Sequence, residues 1–522
     1  MLEKWKLWCA GAALLAVRFF LLFRYRFDSD EPQHMHVAWG WAHGLVQYRD
    51  VFDNHMPLFH LLSAPLFALG GDDPRLLFAA RMLMVPLFAA SIALVWFIAR
   101  ALFDNDTATW AAALAAITPP FFLGTLEYRT DDLWIVCWLA ALAICVSRLA
   151  PQRKSALAGL AIGLAFGVSM KTTLFVIAIF AAAMATALLM RNRGALRGGR
   201  AIGRWLATFV VFMAVVPLAI FGAFAVAGAW GPFYYGVFAH NMFPLEQAHR
   251  LFLVIPLYPI VRNIALTIAR SEGADDQIRR RLFIFLAGAI YLTVLVSFWP
   301  MQSLESYLPF YPLAAICIAP LLRPRPVLIP ATCAIVLIAA IVFMARPWRD
   351  DARAEIAMID EVLMLTTPDE TVMDLKGETV FRARPWYFAL EAITNVKLRL
   401  GRIRDDIAHA LVHSRTHVVV SDSFPPQARR FVAENYVPWG LVRVAGVRLR
   451  GARRMPFRVA IPGNYVVVTR DGRFISASID HREVSDGIEL AVGDHELEAQ
   501  EPIDATVIWS GVLRGKRRSS PA

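Results

Sequence analysis

The strongest constraint on this chain is a succession of apolar runs that no water-soluble fold can bury. Residues 5–23 form the first, and others follow at about 76–99, 107–124, 132–149, 156–169, 173–190, 203–228, 251–269, 282–299, 307–322 and 327–344. A helix of about twenty apolar residues crosses a hydrocarbon layer roughly 30 Å thick. The runs therefore predict a polytopic α-helical membrane protein with about eleven transmembrane helices. Composition points the same way: 57% of the 522 residues are hydrophobic, 18% are charged, and mean hydropathy is +0.50.

Charge then orients the helices. Lys4 and Lys6 precede the first run, and Arg24 and Arg26 follow it with no small-residue cleavage site, which reads as an uncleaved anchor with a cytoplasmic N-terminus. Alternating from there places Arg100, Arg148/Arg153/Lys154, Arg191/Arg193/Arg197/Arg200, Arg270/Arg279/Arg280/Arg281 and Arg323/Arg325 together on the cytoplasmic side. The same alternation puts 24–75, 125–131, 229–250, 299–306 and everything after residue 345 on the outer, periplasmic face of the cytoplasmic membrane. The net charge of +11 is thus a matter of topology, and it calls for no nucleic-acid partner. Cys9, Cys137, Cys145, Cys317 and Cys333 lie in apolar runs without CxxC spacing and read as small buried hydrophobes.

Residues 1–345 are accordingly one transmembrane domain, and the remainder is soluble in character. Residues 346–450 mix short β-rich runs (371–373, 417–420) with helical patterns (405–413, 427–435), an extracytoplasmic α/β domain. Residues 451–522 alternate and turn at glycines, which predicts a small β-sandwich-like domain with a basic tail.

Function concentrates in the loop 24–62, which holds Asp28, Asp30 and Glu31 within four residues, followed by His34, His36, His43, His55 and His60. Connectors are ordinarily short, so a polar loop of this length reads as a site. Asp28-Ser29-Asp30-Glu31-Pro32 looks like a helix start, with Ser29 or Asp30 as cap and Gly44 as the stop. His34, Val37, Ala38, Trp41 and Ala42 share a face of that helix, which predicts an amphipathic helix lying on the outer membrane surface. Acids there complement the helix dipole, but three exceed what capping needs. Asp30 is therefore a candidate for chemistry. Asp28, Asp30, His34 and His36 also form a candidate divalent-metal set, with His240 as a further ligand, although nothing in the sequence requires a cofactor. Lys171, between the runs 156–169 and 173–190, is a lone boundary cation, either functional or snorkelling to the headgroups.

Asp53-Asn54-His55-Met56-Pro57-Leu58-Phe59 leads back into an apolar element. An acid pair in the first outer loop followed by such an "H-x-P-L-aromatic" stretch resembles the GT-C glycosyltransferases that use polyprenyl-phosphate sugars, in particular bacterial relatives of the protein O-mannosyltransferases and the lipid A aminoarabinose transferases. Glu127-Tyr128-Arg129-Thr130-Asp131-Asp132 is similar to their second outer loop, and Glu305-Ser306-Tyr307-Leu308-Pro309-Phe310-Tyr311-Pro312 to their late "RY-L-P-YP" helix start. This chain departs from the pattern in having Glu305 and Ser306 where many relatives have Arg, and "HMP" for the commoner "HPP" or "KPP".

The resemblance implies a GT-C-like domain over residues 1–345 and an integral-membrane glycosyltransferase acting on the outer face. It implies Asp30 as general base with Glu31 in support, and His55, Arg129 and Lys171 as phosphate-binding residues. Asp28, Asp131 and Tyr307 would stand nearby. Such transfer needs a base for the acceptor hydroxyl and cations for the departing phosphate. The sequence has no phosphate-cradling Gly loop for a nucleotide sugar, so a donor dissolved in the bilayer is the consistent partner. Neither Arg129 nor Lys171 has an obvious partner fixed by helical spacing. A transporter or flippase of lipid-linked sugars is the alternative from another class, and an inactive scaffold presenting the C-terminal region a third. The acid cluster at the outer edge favours the enzyme.

Overall fold

The structure, a computed structural model, describes residues 2–193, 199–242, 250–299, 302–323, 325–326, 328–421, 423–469, 472–484 and 487–514. Arg197, residues 243–249 of one expected outer segment, residues 300–301 of another and the basic tail from 515 onward lie outside them. The chain divides into two compact units. One comprises Met1–Arg26, Asn54–Ser63 and Phe78–Asp350, and the other Phe27–Asp53, Ala64–Leu77 and Asp351–Ala522.

The first unit is helical. Leu76–Leu102, Thr172–Leu189, Arg200–Val226, Asp275–Phe298 and Leu328–Ala345 are long and apolar enough to cross a membrane, and each coincides with a run expected from the sequence. The chain is a multi-pass membrane protein. Two other expected crossings are interrupted for a visible reason. The run 107–124 divides at Thr118, before Pro119 and Pro120, into Asn105–Ile117 and Pro119–Gly124. Around Pro256 and Pro259 the run 251–269 becomes Leu251–Val254, a 3-10 turn and Tyr258–Arg270. Proline lacks the N–H that the helix ladder needs, so a helix restarts beyond it. Small residues set the closest packing. A Cβ on Gly159 would lie 2.3 Å from Phe209 O and one on Gly163 2.6 Å from Met213 O, so Pro151–Val168 meets Gly199–Val226 backbone to backbone.

The second unit is built on one mixed sheet, in the order β1 (Val372–Met373), β2 (Val418–Val419), β4 (Val442–Val459), β9 (Gly493–Trp509), β5 (Gly463–Thr469), β8 (Ile488–Leu490), with β3 (Tyr436–Trp439) paired to β4 and β6 (Ala477–Ile479) paired to both β9 and β7 (Arg482–Val484). β1 and β2 are parallel; the other pairings are antiparallel. The boundary expected at 450/451 falls inside β4, at an irregularity between Leu449 and Ala452 where Gly451 has φ +65°. One long strand therefore serves both expected domains, and in place of a separate sandwich the described strands form a single sheet.

This unit also contains Phe27–Asp53 of the first polar loop. The helix Asp30–Ala42 forms where the sequence places it and is followed by Gly44 at φ +77°. It is not amphipathic at a membrane surface: every residue from Glu31 to Gly40 is buried. The covering chain comes from far away in sequence. His36 Nδ1 lies 2.7 Å from Val380 O, Trp39 Nε1 donates to Asp72 Oδ1 at 3.2 Å, and Arg382 Nη1 holds Asp72 Oδ2 at 2.6 Å.

Candidate active site

In the first unit the outer-loop candidates converge on Asp131. The linker that carries them starts where buried Arg18 donates to Phe122 O (3.0 Å), to Thr125 Oγ1 (3.2 Å) and to Thr125 O. Asp131 sits in the first turn of the helix Thr130–Val146, where a carboxylate complements the dipole. Lys171 precedes the helix Thr172–Leu189 and directs Nζ to Asp131 Oδ1 at 3.2 Å. Arg129 Nε lies 3.4 Å from Asp131 Oδ2, and its Nη2 lies 3.8 Å from Glu305 Oε2. His55 is close enough to act electrostatically on Asp131. All four charged groups of this network are at least four-fifths buried, and their formal charges cancel.

Aromatic rings hold this network from the helix side. Phe175 stacks between Trp134 and Trp138, with centroids 4.4 and 4.2 Å away, and Trp134 Nε1 donates to Thr172 Oγ1 at 3.0 Å. Lys171 Nζ lies 5.5 Å from the centre of the Trp134 ring, a cation–π contact. The Tyr307 hydroxyl donates to Gln302 Oε1 at 2.9 Å, and Tyr291 donates to Ser306 O at 2.6 Å. Arg129 and Lys171 thus have ion-pair partners that helical spacing does not reveal: Asp131 is two residues from Arg129 and forty from Lys171, and Glu305 lies far along the chain from Arg129.

In the second unit the three acids of the first loop separate by role. Asp28 Oδ1 accepts from Asp30 N (3.1 Å) and Glu31 Oε1 accepts from Asp28 N (2.9 Å), so these two brace the helix start. Ser29, at the cap position, makes no side-chain cap bond. Asp30 Oδ1 instead receives Lys376 Nζ at 2.8 Å. Lys376 is a residue that sequence reasoning missed, since it sits in a loop without periodicity. Burial moves the His36 imidazole below its ordinary range, which favours the neutral ring, and Asp374 partly offsets this.

The expected metal ligands do not fit a metal. Among the described residues no three His, Cys, Asp or Glu side chains are grouped to hold one. His36 is engaged with Val380, Asp30 with Lys376 and Asp28 with the Asp30 amide, while His240 Nδ1 lies 3.5 Å from the Tyr235 hydroxyl.

Residues 54–221 match the family model described as dolichyl-phosphate-mannose-protein mannosyltransferase. Among solved structures, the chain is similar to ArnT from Cupriavidus metallidurans in the apo state, at 13% identity and a TM-score of 0.60, over 85% of this chain and 97% of that one. It is likewise similar to the same protein bound to undecaprenyl phosphate, at 12% identity and a TM-score of 0.57, over 83% and 97%. No curated protein matches the sequence. The chain has the GT-C fold and resembles the polyprenyl-phosphate-sugar-dependent glycosyltransferases.

Proposed function

We propose that this protein transfers a sugar from a polyprenyl-phosphate donor to an acceptor hydroxyl at the outer face of the cytoplasmic membrane. The observation that carries the reading is the convergence of Arg129 and Lys171, each just before the start of a different helix, on one buried carboxylate. In a lipid-linked phosphodiester the phosphate bears one negative charge, and it bears two once the bond to the sugar has broken. Cations fixed in advance in a poorly solvated place stabilise that added charge more than they stabilise the bound donor. Asp131 and Glu305 hold the two side chains in position before a donor arrives, so little reorganisation remains. The family match and the undecaprenyl phosphate bound by the similar ArnT support a polyprenyl-phosphate partner.

Asp30 is the base of this reaction. The acceptor oxygen attacks the anomeric carbon, its proton passes to the Asp30 carboxylate, and the electron pair of the breaking C–O bond leaves on polyprenyl phosphate. Asp28 and Glu31 act indirectly, by fixing the turn from which Asp30 projects. His55 and Tyr307 complete the phosphate and donor contacts. The chain from residue 346 onward faces the periplasm and contributes to acceptor choice.

The test is bond cleavage. The purified chain in vesicles, given polyprenyl-phosphate sugars labelled in the sugar, is expected to release polyprenyl phosphate as sugar moves to acceptor or water. Movement of intact donor between leaflets without cleavage would identify a transporter instead. Mass spectrometry of envelope glycans in a deletion strain then names the acceptor.

A further inference from the structure

We propose that Lys376 is a positioning residue for Asp30: it fixes one carboxylate oxygen and keeps the carboxylate in the ionised form that accepts a proton. The inference rests on the reading of Asp30 as base. Lys376 Nζ lies 2.8 Å from Asp30 Oδ1 and 2.9 Å from Ser29 Oγ, and its side chain is 18% exposed against 32% for Asp30. A pair this sheltered is screened less than a surface pair.

The loop that carries Lys376 is built to hold it there. Asp374, fully buried, accepts from Gly377 N (2.8 Å), Thr379 N (2.9 Å) and Arg384 Nε (2.8 Å), which closes the turn around Lys376. Gly377, at φ +104°, rests on the His36 ring so closely that a Cβ would meet it at 2.9 Å. Val380 takes φ +55°, a left-handed conformation that costs a β-branched residue on the order of 1–3 kcal/mol, and its carbonyl meets His36. Strain of this kind persists only where surrounding contacts impose it. The loop is therefore anchored to the helix of Asp30 at two points six residues apart, Asp30 itself and His36. Sequence places the two partners 346 residues apart, so within the second unit the contact ties the chain after residue 350 to the segment Phe27–Asp53.

The charge has a chemical consequence. Asp28 and Glu31 put two further acids beside Asp30, and like charges disfavour ionisation. Lys376 opposes them at hydrogen-bond distance. Without it Asp30 would hold its proton to higher pH and face the acceptor as an acid.

The experiment reads this without needing substrate. The full chain in detergent is treated with a water-soluble carbodiimide and glycine ethyl ester across pH 3–8, and amide formation at Asp30 is followed by peptide mass spectrometry, with Asp30→Asn as blank. Carbodiimide activation falls as a carboxyl ionises, so its midpoint reports ionisation. Lys376→Met is expected to move the midpoint up by about one pH unit, and Lys376→Arg to return it toward wild type. An unchanged midpoint in Lys376→Met, or an equal rise in Lys376→Arg, overturns the inference. An inactive Asp30→Asn alongside an unmoved midpoint would leave the base assignment standing and remove only Lys376. An active Asp30→Asn would remove the base itself.

Discussion

Lys171→Met, Asp131→Asn and their double variant separate a structural ion pair from a phosphate clamp. Nζ and Oδ1 are 3.2 Å apart, with Lys171 19% and Asp131 5% exposed, a position between a surface pair and a fully buried one. Surface pairs contribute about 0–1 kcal/mol and breaking a buried one costs about 3–5, so a coupling near 2 kcal/mol is expected. Each single variant leaves a sheltered charge short of a partner, whereas the double variant removes both charges. Tm in detergent should fall in each single variant and recover in the double. Turnover should behave differently, because the phosphate still lacks a cation. Removing one such donor typically costs about a hundredfold to a thousandfold in rate, or about 2.7–4 kcal/mol. Cleavage of a polyprenyl-phosphate sugar is then expected to stay at least about a hundredfold down in Lys171→Met and in the double variant, with partial recovery in Lys171→Arg. Wild-type cleavage by the double variant would refute the clamp and reduce the pair to a structural contact.

Three further outcomes follow from particular sites. Glu355 is lifted from 4.5 to about 7, chiefly by burial and then by Glu378, Asp374 and Glu31, so the folded unit binds more protons than the unfolded chain and loses stability as pH rises from about 4.5 to about 7. Glu355→Gln should flatten that decline, worth at most about 3 kcal/mol, and raise Tm at pH 8; a lower Tm there would contradict the burial argument. Ser423→Cys, in an exposed loop, should react with an impermeant thiol reagent on intact cells, and labelling only after lysis would reverse the proposed orientation. Gly163→Leu should destabilise by about 2 kcal/mol or more, since its side chain must enter the backbone of Met213, whereas Gly203→Leu, with open space at its Cβ, should have little effect; equal Tm values would deny the close helix contact.

Apolar runs made the membrane helices legible because hydrocarbon thickness sets their length, and each of the five long helices coincides with such a run. Prolines at 119, 120, 256 and 259 were equally visible, yet only the structure gives the positions where helices stop and restart. The polar clusters were legible as inventories, not as contacts. Asp131 meets Lys171 across forty residues, and Asp30 meets Lys376 across 346, distances over which no periodicity operates. The helix Asp30–Ala42 misled for the same reason: its pattern of small, aromatic and histidine residues suits a membrane surface, and what covers it is the loop near Val380. The boundary at 450/451 failed to separate two sheets because β4 runs through it as one strand.

The central claim is that Asp30 takes the proton in sugar transfer from a polyprenyl phosphate, and Asp30→Asn measures it most directly. Asparagine keeps the size and can still accept from Lys376 through its amide oxygen, but it cannot take up a proton. With the variant at wild-type abundance in the membrane and still binding a photo-crosslinkable polyprenyl phosphate, cleavage of polyprenyl-phosphate sugar is expected to fall about a hundredfold or more. Cleavage near the wild-type rate would contradict the account and leave Asp30 as the partner of Lys376 alone.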